Sequence, residues 1–364
     1  MRVVVVGSGV VGASAAYHLS RSGAEVVVVD HGHTGKATLA GAGIVCPWAS
    51  GYPEGPIMDL YMAGAAAYPE IIGGVVEATG HDVGYRRVGG LVVSADEAEL
   101  AEAEGRVARN SVGRLEVGGF TRITNDEARA LFPPLRTGAE AIHIEGGARV
   151  DGRLLAQAFL ATPGVELSTT TDPATLAIEG DRVTGVRVDG SMIAADAVVV
   201  AAGAWTAELL SSSVGAAIDV EPQKGQIMHF RVDADTGSWP VLLPVGPHYV
   251  ISFDGGRVVV GATREEGSGF DTRVTAAGHA ELLATVFETI PGLADATILE
   301  TRVGLRPLAR TAPTVGAVPG IDGLVVATGL GPIGLTVGPL FGRLAADVVF
   351  GRDSPLNLAP YAPT

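Results

Sequence analysis

The chain has 364 residues, with 40 Asp and Glu against 25 Lys and Arg, 47% hydrophobic residues and one cysteine. That length is enough to bury one large or two ordinary domain cores, which excludes a disordered chain. A net charge of -15 with no concentrated basic run argues against nucleic acid as a partner, and the lone Cys46 excludes an internal disulfide or a CxxC metal motif.

Residues 2 to 6 are a continuous valine run, the pattern of a parallel strand buried on both faces. Val10, Ala13, Ala16, Tyr17 and Leu19 then recur at helical spacing up to Gly23, and residues 25 to 30 restart a buried strand, which completes a βαβ unit. The apolar run before Gly7 is too short for a signal sequence, and no window approaches roughly 18 uninterrupted apolar residues. A cytoplasmic protein without an integral membrane segment is expected; peripheral contact by a surface loop would leave no such trace. Residues 55 to 80 read as an alanine-rich helix, and 93 to 110 as a charged surface helix opened by Ser94. From 165 to 202 three strands follow, the last two joined by a hairpin turn at Asp189-Gly190. Residues 217 to 263 alternate apolar and polar with a tight turn at Asp254-Gly255-Gly256, which predicts an antiparallel sheet in a second domain. A buried strand at 324 to 328, a glycine-broken turn and a helix over 335 to 350 close the chain.

The first motif with chemistry in it is Gly7-Ser8-Gly9-Val10-Val11-Gly12, between the first strand and first helix, with Asp30 at the end of the second strand. In that context Gly7 permits the tight turn, Gly9 lets a pyrophosphate approach the backbone, and Gly12 lets helix pack on strand. The helix N-terminus offers unpaired N–H groups to phosphates, and Asp30 would accept hydrogen bonds from an adenosine ribose. The motif alone does not separate NAD from FAD. His31 and His33 form an HxH pair with no third ligand at suitable spacing, so no metal is expected, and no GxSxG or P-loop sequence occurs.

Two further stretches carry a resemblance. Ala37-Thr38-Leu39-Ala40-Gly41-Ala42-Gly43-Ile44-Val45 is similar to the small-residue loop that lies along the flavin in the D-amino-acid oxidase family, which includes D-amino-acid dehydrogenases, glycine oxidases and sarcosine oxidases. Gly304-Leu305-Arg306-Pro307 with residues 327 to 336 resembles that family's GLRP element and flavin-edge loop, and matches at Val150-Asp151, 198 to 205, Lys224-Gly225-Gln226 and Gly261-Ala262-Thr263 extend the resemblance over the whole chain. It implies a discontinuous Rossmann-like α/β FAD domain (1–84, 143–216, 301–364) and an inserted, mainly antiparallel α+β substrate domain (85–142, 217–300). It also implies noncovalent FAD, since Cys46 is not in the C-terminal region where sarcosine oxidases attach theirs. Contacts to FAD are implied for Gly7, Gly9, Val10, Val11, Gly12, Asp30, His31, Thr38, Ala42, Gly43, Ile44, Ala174, Gly203 and Trp205, and for Gly304, Arg306, Gly331, Ile333, Gly334, Leu335 and Thr336.

Arg306 is the substrate candidate, because a guanidinium fork pairs bidentately with an α-carboxylate and the family uses its GLRP arginine for that. The alternative is an arginine paired with Glu300. Tyr249 falls where relatives place a substrate-facing aromatic, with ordinary strand packing as the other reading, and Arg264 is either a weaker substrate candidate or a solvated loop arginine. Leu330 and Pro332 stand where glycine oxidases often carry His and Arg, which leaves no second cation for substrate and favours the dehydrogenase-like branch. The resemblance thus implies oxidation of an amino acid, a D-amino acid or glycine, by hydride transfer from Cα to flavin N5. The imino acid would hydrolyse to a 2-oxo acid and ammonia, and a dye, a quinone or oxygen would accept the electrons. A secondary amine such as sarcosine or a proline derivative, or a 2-hydroxy acid, is the alternative substrate. The intact GLRP argues against a non-enzymatic FAD-binding module.

Overall fold

The computed structural model describes residues 1–363. The valine run forms the strand Arg2–Val6, and Val3, Val4 and Val5 have no exposed surface. It lies inside a six-stranded sheet, flanked by Glu25–Asp30 and Ala197–Val200, both parallel to it. Val165–Thr169 and Leu324–Thr328 extend the sheet in parallel, and Thr314–Ala317 closes one edge antiparallel. The helices Val10–Arg21 and Gly334–Val349 pack together on this sheet, where Gly342 is in the way of nothing: a Cβ there would lie 2.6 Å from Ser14 and from the Val11 carbonyl. The segment Gly331–Val349 is long and apolar enough to cross a membrane, but 61% of it is buried inside the protein, as in a core helix.

The second large sheet has eight strands, from the edge strand Thr297–Ala309 through Val220–Arg231, Arg257–Gly261, Tyr249–Phe253, Val241–Pro244, Gly90–Ser94 and Glu140–Ile144 to Phe120–Ile123. It is antiparallel except where Val241–Pro244 runs parallel to Gly90–Ser94. The domain boundaries expected at 142/143 and 300/301 fall inside the strands Glu140–Ile144 and Thr297–Ala309. The 13-residue strand Thr297–Ala309 begins at the exposed edge of this sheet and ends at the cavity described below, so no break falls between the two.

Two local expectations are corrected. Ser94 ends a strand, and the charged helix is Glu97–Ser111, capped by Asp96, whose carboxylate accepts from the N–H groups of Ala98 (2.8 Å) and Glu99 (3.1 Å). The Asp189-Gly190 turn, with φ of 47° and 74°, joins Arg182–Val188 to a short strand Ser191–Ala194 rather than to the parallel strand Ala197–Val200. Together with Thr175–Glu179 these form a separate three-stranded antiparallel sheet.

Candidate active site

A cavity of about 840 Å³ opens between the two large sheets. Its floor begins at the turn after the first strand. Gly7 has φ +108° and a Cβ there would lie 2.4 Å from the Ala201 carbonyl; a Cβ on Gly12 would lie 2.0 Å from the Gly7 carbonyl. Gly7 therefore serves the turn, and Gly12, which does not line the cavity, serves helix-on-strand packing. Gly9 is different. Its backbone is extended (φ -66°, ψ 174°), and a Cβ would meet only Thr38 Oγ1 at 3.3 Å, so what its missing side chain leaves free is cavity. Thr38, from the small-residue loop, accepts from the Val10 N–H at 2.9 Å and fastens that loop to the helix N-terminus.

Asp30 accepts from Ser8 N (2.8 Å) and Oγ (2.6 Å), Gly32 N (2.7 Å) and Lys36 Nζ (2.5 Å). Burial pushes its carboxyl up, but those hydrogen bonds outweigh burial and hold it below the usual carboxylate range. Lys36 is a cavity residue that sequence reasoning missed; nothing in its local pattern marks it except six residues' distance from Asp30. His31 and His33 meet edge to face at 4.5 Å, and His33 stacks on Trp205 at 4.4 Å. Ala42, Gly43 and Ile44, then Ala174 and Gly203, and finally Gly304, Gly331, Ile333, Gly334, Leu335 and Thr336 all line the same cavity with Val10, Val11 and Trp205. Gly43 is needed where it is: with φ +88°, a Cβ would lie 1.8 Å from the Val150 carbonyl. Thr336 Oγ1 donates to the Ile44 carbonyl at 2.7 Å, which ties the C-terminal helix to the small-residue loop. A glycine turn at a helix N-terminus, an acid at the end of the second strand and two backbone-lined loops are a donor set that suits a dinucleotide.

The far end of the cavity is built from the eight-stranded sheet. Arg306 pairs in register with Gln223, and Gly304 with Gly225. A Cβ on Gly225 would lie 2.4 to 2.6 Å from the Arg306 guanidinium, so this glycine makes the seat on which the guanidinium lies. Arg306 Nη1 donates to the Thr263 carbonyl (3.1 Å) and Gln223 Oε1 (3.4 Å). Glu300, the alternative partner weighed from sequence, is taken by Arg302 instead. Burial lowers Arg306 from the ordinary arginine value; Tyr249 opposes this and Arg264 adds to it. Burial pushes the Tyr249 phenol up, against the pull of Arg306 and Arg264, so Tyr249 is a neutral hydroxyl.

Arg264, Tyr52, His248 and Arg106 complete this end. The C-terminal loop offers Leu330 and Pro332, as expected, yet two further guanidinia do reach the cavity, Arg264 from the loop after the strand Arg257–Gly261 and Arg106 from the helix Glu97–Ser111. Tyr52 lies in a segment without periodicity and Arg106 on a helix that reads as solvated, so neither was visible in the sequence. His248 is tied to Glu281 (2.9 Å) and Thr285 (2.8 Å) on the helix Ala276–Thr289.

A glycine-turn cradle that suits a dinucleotide and shares one cavity with an arginine-bearing antiparallel sheet fits a flavin-dependent oxidoreductase. The chain belongs to the FAD dependent oxidoreductase family, whose model matches residues 2–348. It is similar to the crystal structure of iminodiacetate oxidase from Chelativorans sp. BNC1 (TM-score 0.95, 48% identity, 100% of this chain and 99% of that one). Similarity extends to an uncharacterised oxidoreductase of Bacillus subtilis (44% identity, 99% of this chain, 98% of the relative). It extends also to a glycine oxidase of Pseudomonas aeruginosa (33% identity, 100% and 98%). The protein is an FAD-dependent oxidoreductase of a family with amino-acid- and amine-oxidising members, and its cofactor is FAD.

Proposed function

We propose that the chain oxidises a secondary amine whose nitrogen-bearing carbon carries a carboxylate, giving an imine that hydrolyses to a 2-oxo acid and an amine. The observation that carries this is Arg306, a half-buried guanidinium seated on Gly225 in the cavity, with no carboxylate partner among the described residues. A primary amino acid, glycine or a D-amino acid, would use the same grip; similarity at 48% identity to iminodiacetate oxidase favours the secondary amine.

In this reading the turn Gly7 to Val11 holds the pyrophosphate, Asp30 the ribose, and the loops at Thr38 to Ile44 and Gly331 to Thr336 the ring system. The six-stranded sheet then belongs to the cofactor domain and the eight-stranded sheet to the substrate domain. FAD supplies the two-electron acceptor for the hydride that leaves Cα. Arg306 fixes the carboxylate and so the direction of the Cα–H bond, while Tyr249 and Tyr52 wall off water. The amine must be neutral before the hydride leaves; the Tyr249 phenol stays protonated, so that proton goes to water. Anaerobic addition of N-methylglycine or iminodiacetate is expected to bleach the flavin, and dimethylamine, which lacks the carboxylate, is not. Equal bleaching by all three would remove the carboxylate from the argument.

The flavin is held noncovalently in this reading. Cys46 lines the cavity, but burial pushes its thiol up to about 12, so it is not a thiolate nucleophile at neutral pH. Acid precipitation is expected to leave the yellow colour in the supernatant; colour retained by the pellet would mean a covalent bond. For the electron acceptor, the names of the relatives at 48% and 33% identity support oxygen over the dyes that the Leu330 and Pro332 loop suggests. Turnover with dissolved oxygen is expected to exceed turnover with an artificial dye on the same substrate, and the reverse order would place the protein in the dehydrogenase branch.

A further inference from the structure

We propose that Arg264 forms a second carboxylate subsite opposite Arg306, so that the preferred substrate carries a carboxylate on both sides of its amine nitrogen. This rests on the carboxylate reading above and adds the second arm. The guanidinium of Arg264 lines the cavity and has no hydrogen bond or ion pair among the described residues. Both acids that follow it in the chain are committed elsewhere: Glu265 accepts from Gln226 Nε2 (2.7 Å) and Thr263 Oγ1 (2.7 Å) and pairs with Lys224 (3.2 Å), and Glu266 accepts from Gln223 Nε2 at 3.4 Å.

The backbone on either side of Arg264 is pinned, so the side chain is presented from a built position. Glu265 and Lys224 exchange both backbone hydrogen bonds (2.9 and 3.1 Å), and Thr263 N donates to the Gln226 carbonyl at 3.2 Å while its hydroxyl accepts from Gln226 N at 2.9 Å. Lys224, 1% exposed, also pairs with Asp271 at 3.3 Å and anchors the far side of the loop. The unpaired residue between these anchors points at the cavity that holds Arg306.

Charge makes the same point. Arg264 lies close enough to Arg306 to disfavour its charge, and both guanidinia act on Tyr52 and Tyr249. The acids that line the cavity are Asp30 and Glu208, and both act on His33 beside Lys36, at the dinucleotide end. Arg264 and Arg306 at the substrate end therefore face no protein carboxylate, whereas Arg106, the third guanidinium there, pairs with Glu102 at 3.9 Å. One carboxylate on Arg306 leaves Arg264 unpaired; a second carboxylate, two bonds beyond the nitrogen, relieves the repulsion. Arg264 is exposed where Arg306 is half-buried, so its contribution is the smaller of the two.

The test uses holoenzyme and two ethers that cannot be oxidised as amines: diglycolate, with two carboxylates, and methoxyacetate, with one. Dissociation constants are read from flavin difference spectra and checked by calorimetry. The wild type is expected to bind diglycolate about tenfold or more tighter than methoxyacetate, Arg264→Gln to bring that ratio near one, and Arg306→Gln to weaken both ligands. A wild type that binds the two equally, or an Arg264→Gln variant that keeps the preference, overturns the second subsite. In either case a loss of methoxyacetate affinity in Arg306→Gln leaves the single-carboxylate reading standing. If Arg306→Gln binds methoxyacetate as the wild type does, both readings fall.

Discussion

Arg306→Ala is expected to lower kcat/KM for a carboxylated amine by on the order of 30-fold to several-thousand-fold while FAD content barely changes. The range corresponds to about 2 to 5 kcal/mol for truncating one member of a partly buried, charge-assisted pair. FAD content holds because the guanidinium is fixed by Gln223 and the Thr263 carbonyl, both on the eight-stranded sheet side, and lies on Gly225 rather than on the glycine turn. Arg306→Lys recovers only part of the loss, since an ammonium keeps the charge without the planar fork that directs Cα–H. Steady-state kinetics with flavin-to-protein ratios check this, and unchanged kcat/KM in the Ala variant would make Arg306 structural.

Gly9→Leu is expected to yield a folded but colourless protein. A Cβ at this position meets only Thr38 Oγ1, at 3.3 Å, so the fold has room for it; the rest of a leucine side chain projects into the space where a pyrophosphate meets the backbone. Each loss of about 1.4 kcal/mol weakens FAD binding about tenfold, and the flavin is lost once the dissociation constant exceeds the free FAD concentration. Substitutions at Gly7 or Gly12 do not make this distinction, because a Cβ there strikes backbone at 2.4 or 2.0 Å and the fold itself suffers. Circular dichroism and the flavin-to-protein ratio separate the cases, and normal occupancy in Gly9→Leu would contradict the role of the first motif.

The parallel sheet was legible because its central strands are buried on both faces and so read as unbroken valine. The glycine turn was legible because each glycine answers a different local demand. The site's far end was harder. Arg306 was visible through the GLRP resemblance, but its seat on Gly225 depends on cross-strand register between distant segments, which no local pattern encodes. The strand Thr297–Ala309 is exposed along its first half and shows no clean alternation. The helix Ala276–Thr289 buries Gly278 and Thr285 while Phe287 is exposed, so its apolar stripe is blurred. Arg264 reads from sequence either as a weaker substrate candidate or as a solvated loop arginine, and the choice depends on the pairing of Lys224 with Glu265 that holds the loop against the cavity. Lys36 became a site residue only through its bond to Asp30.

A single-turnover product analysis with N-methylglycine tests the central claim most directly. If Arg306 holds the carboxylate and thereby presents the carbon that bears it, one equivalent of reduced flavin accompanies one equivalent each of glyoxylate and methylamine, with water consumed in hydrolysing the imine. Formaldehyde and glycine in that ratio would mean that the methyl carbon is the one oxidised, and would contradict the orientation assigned to Arg306.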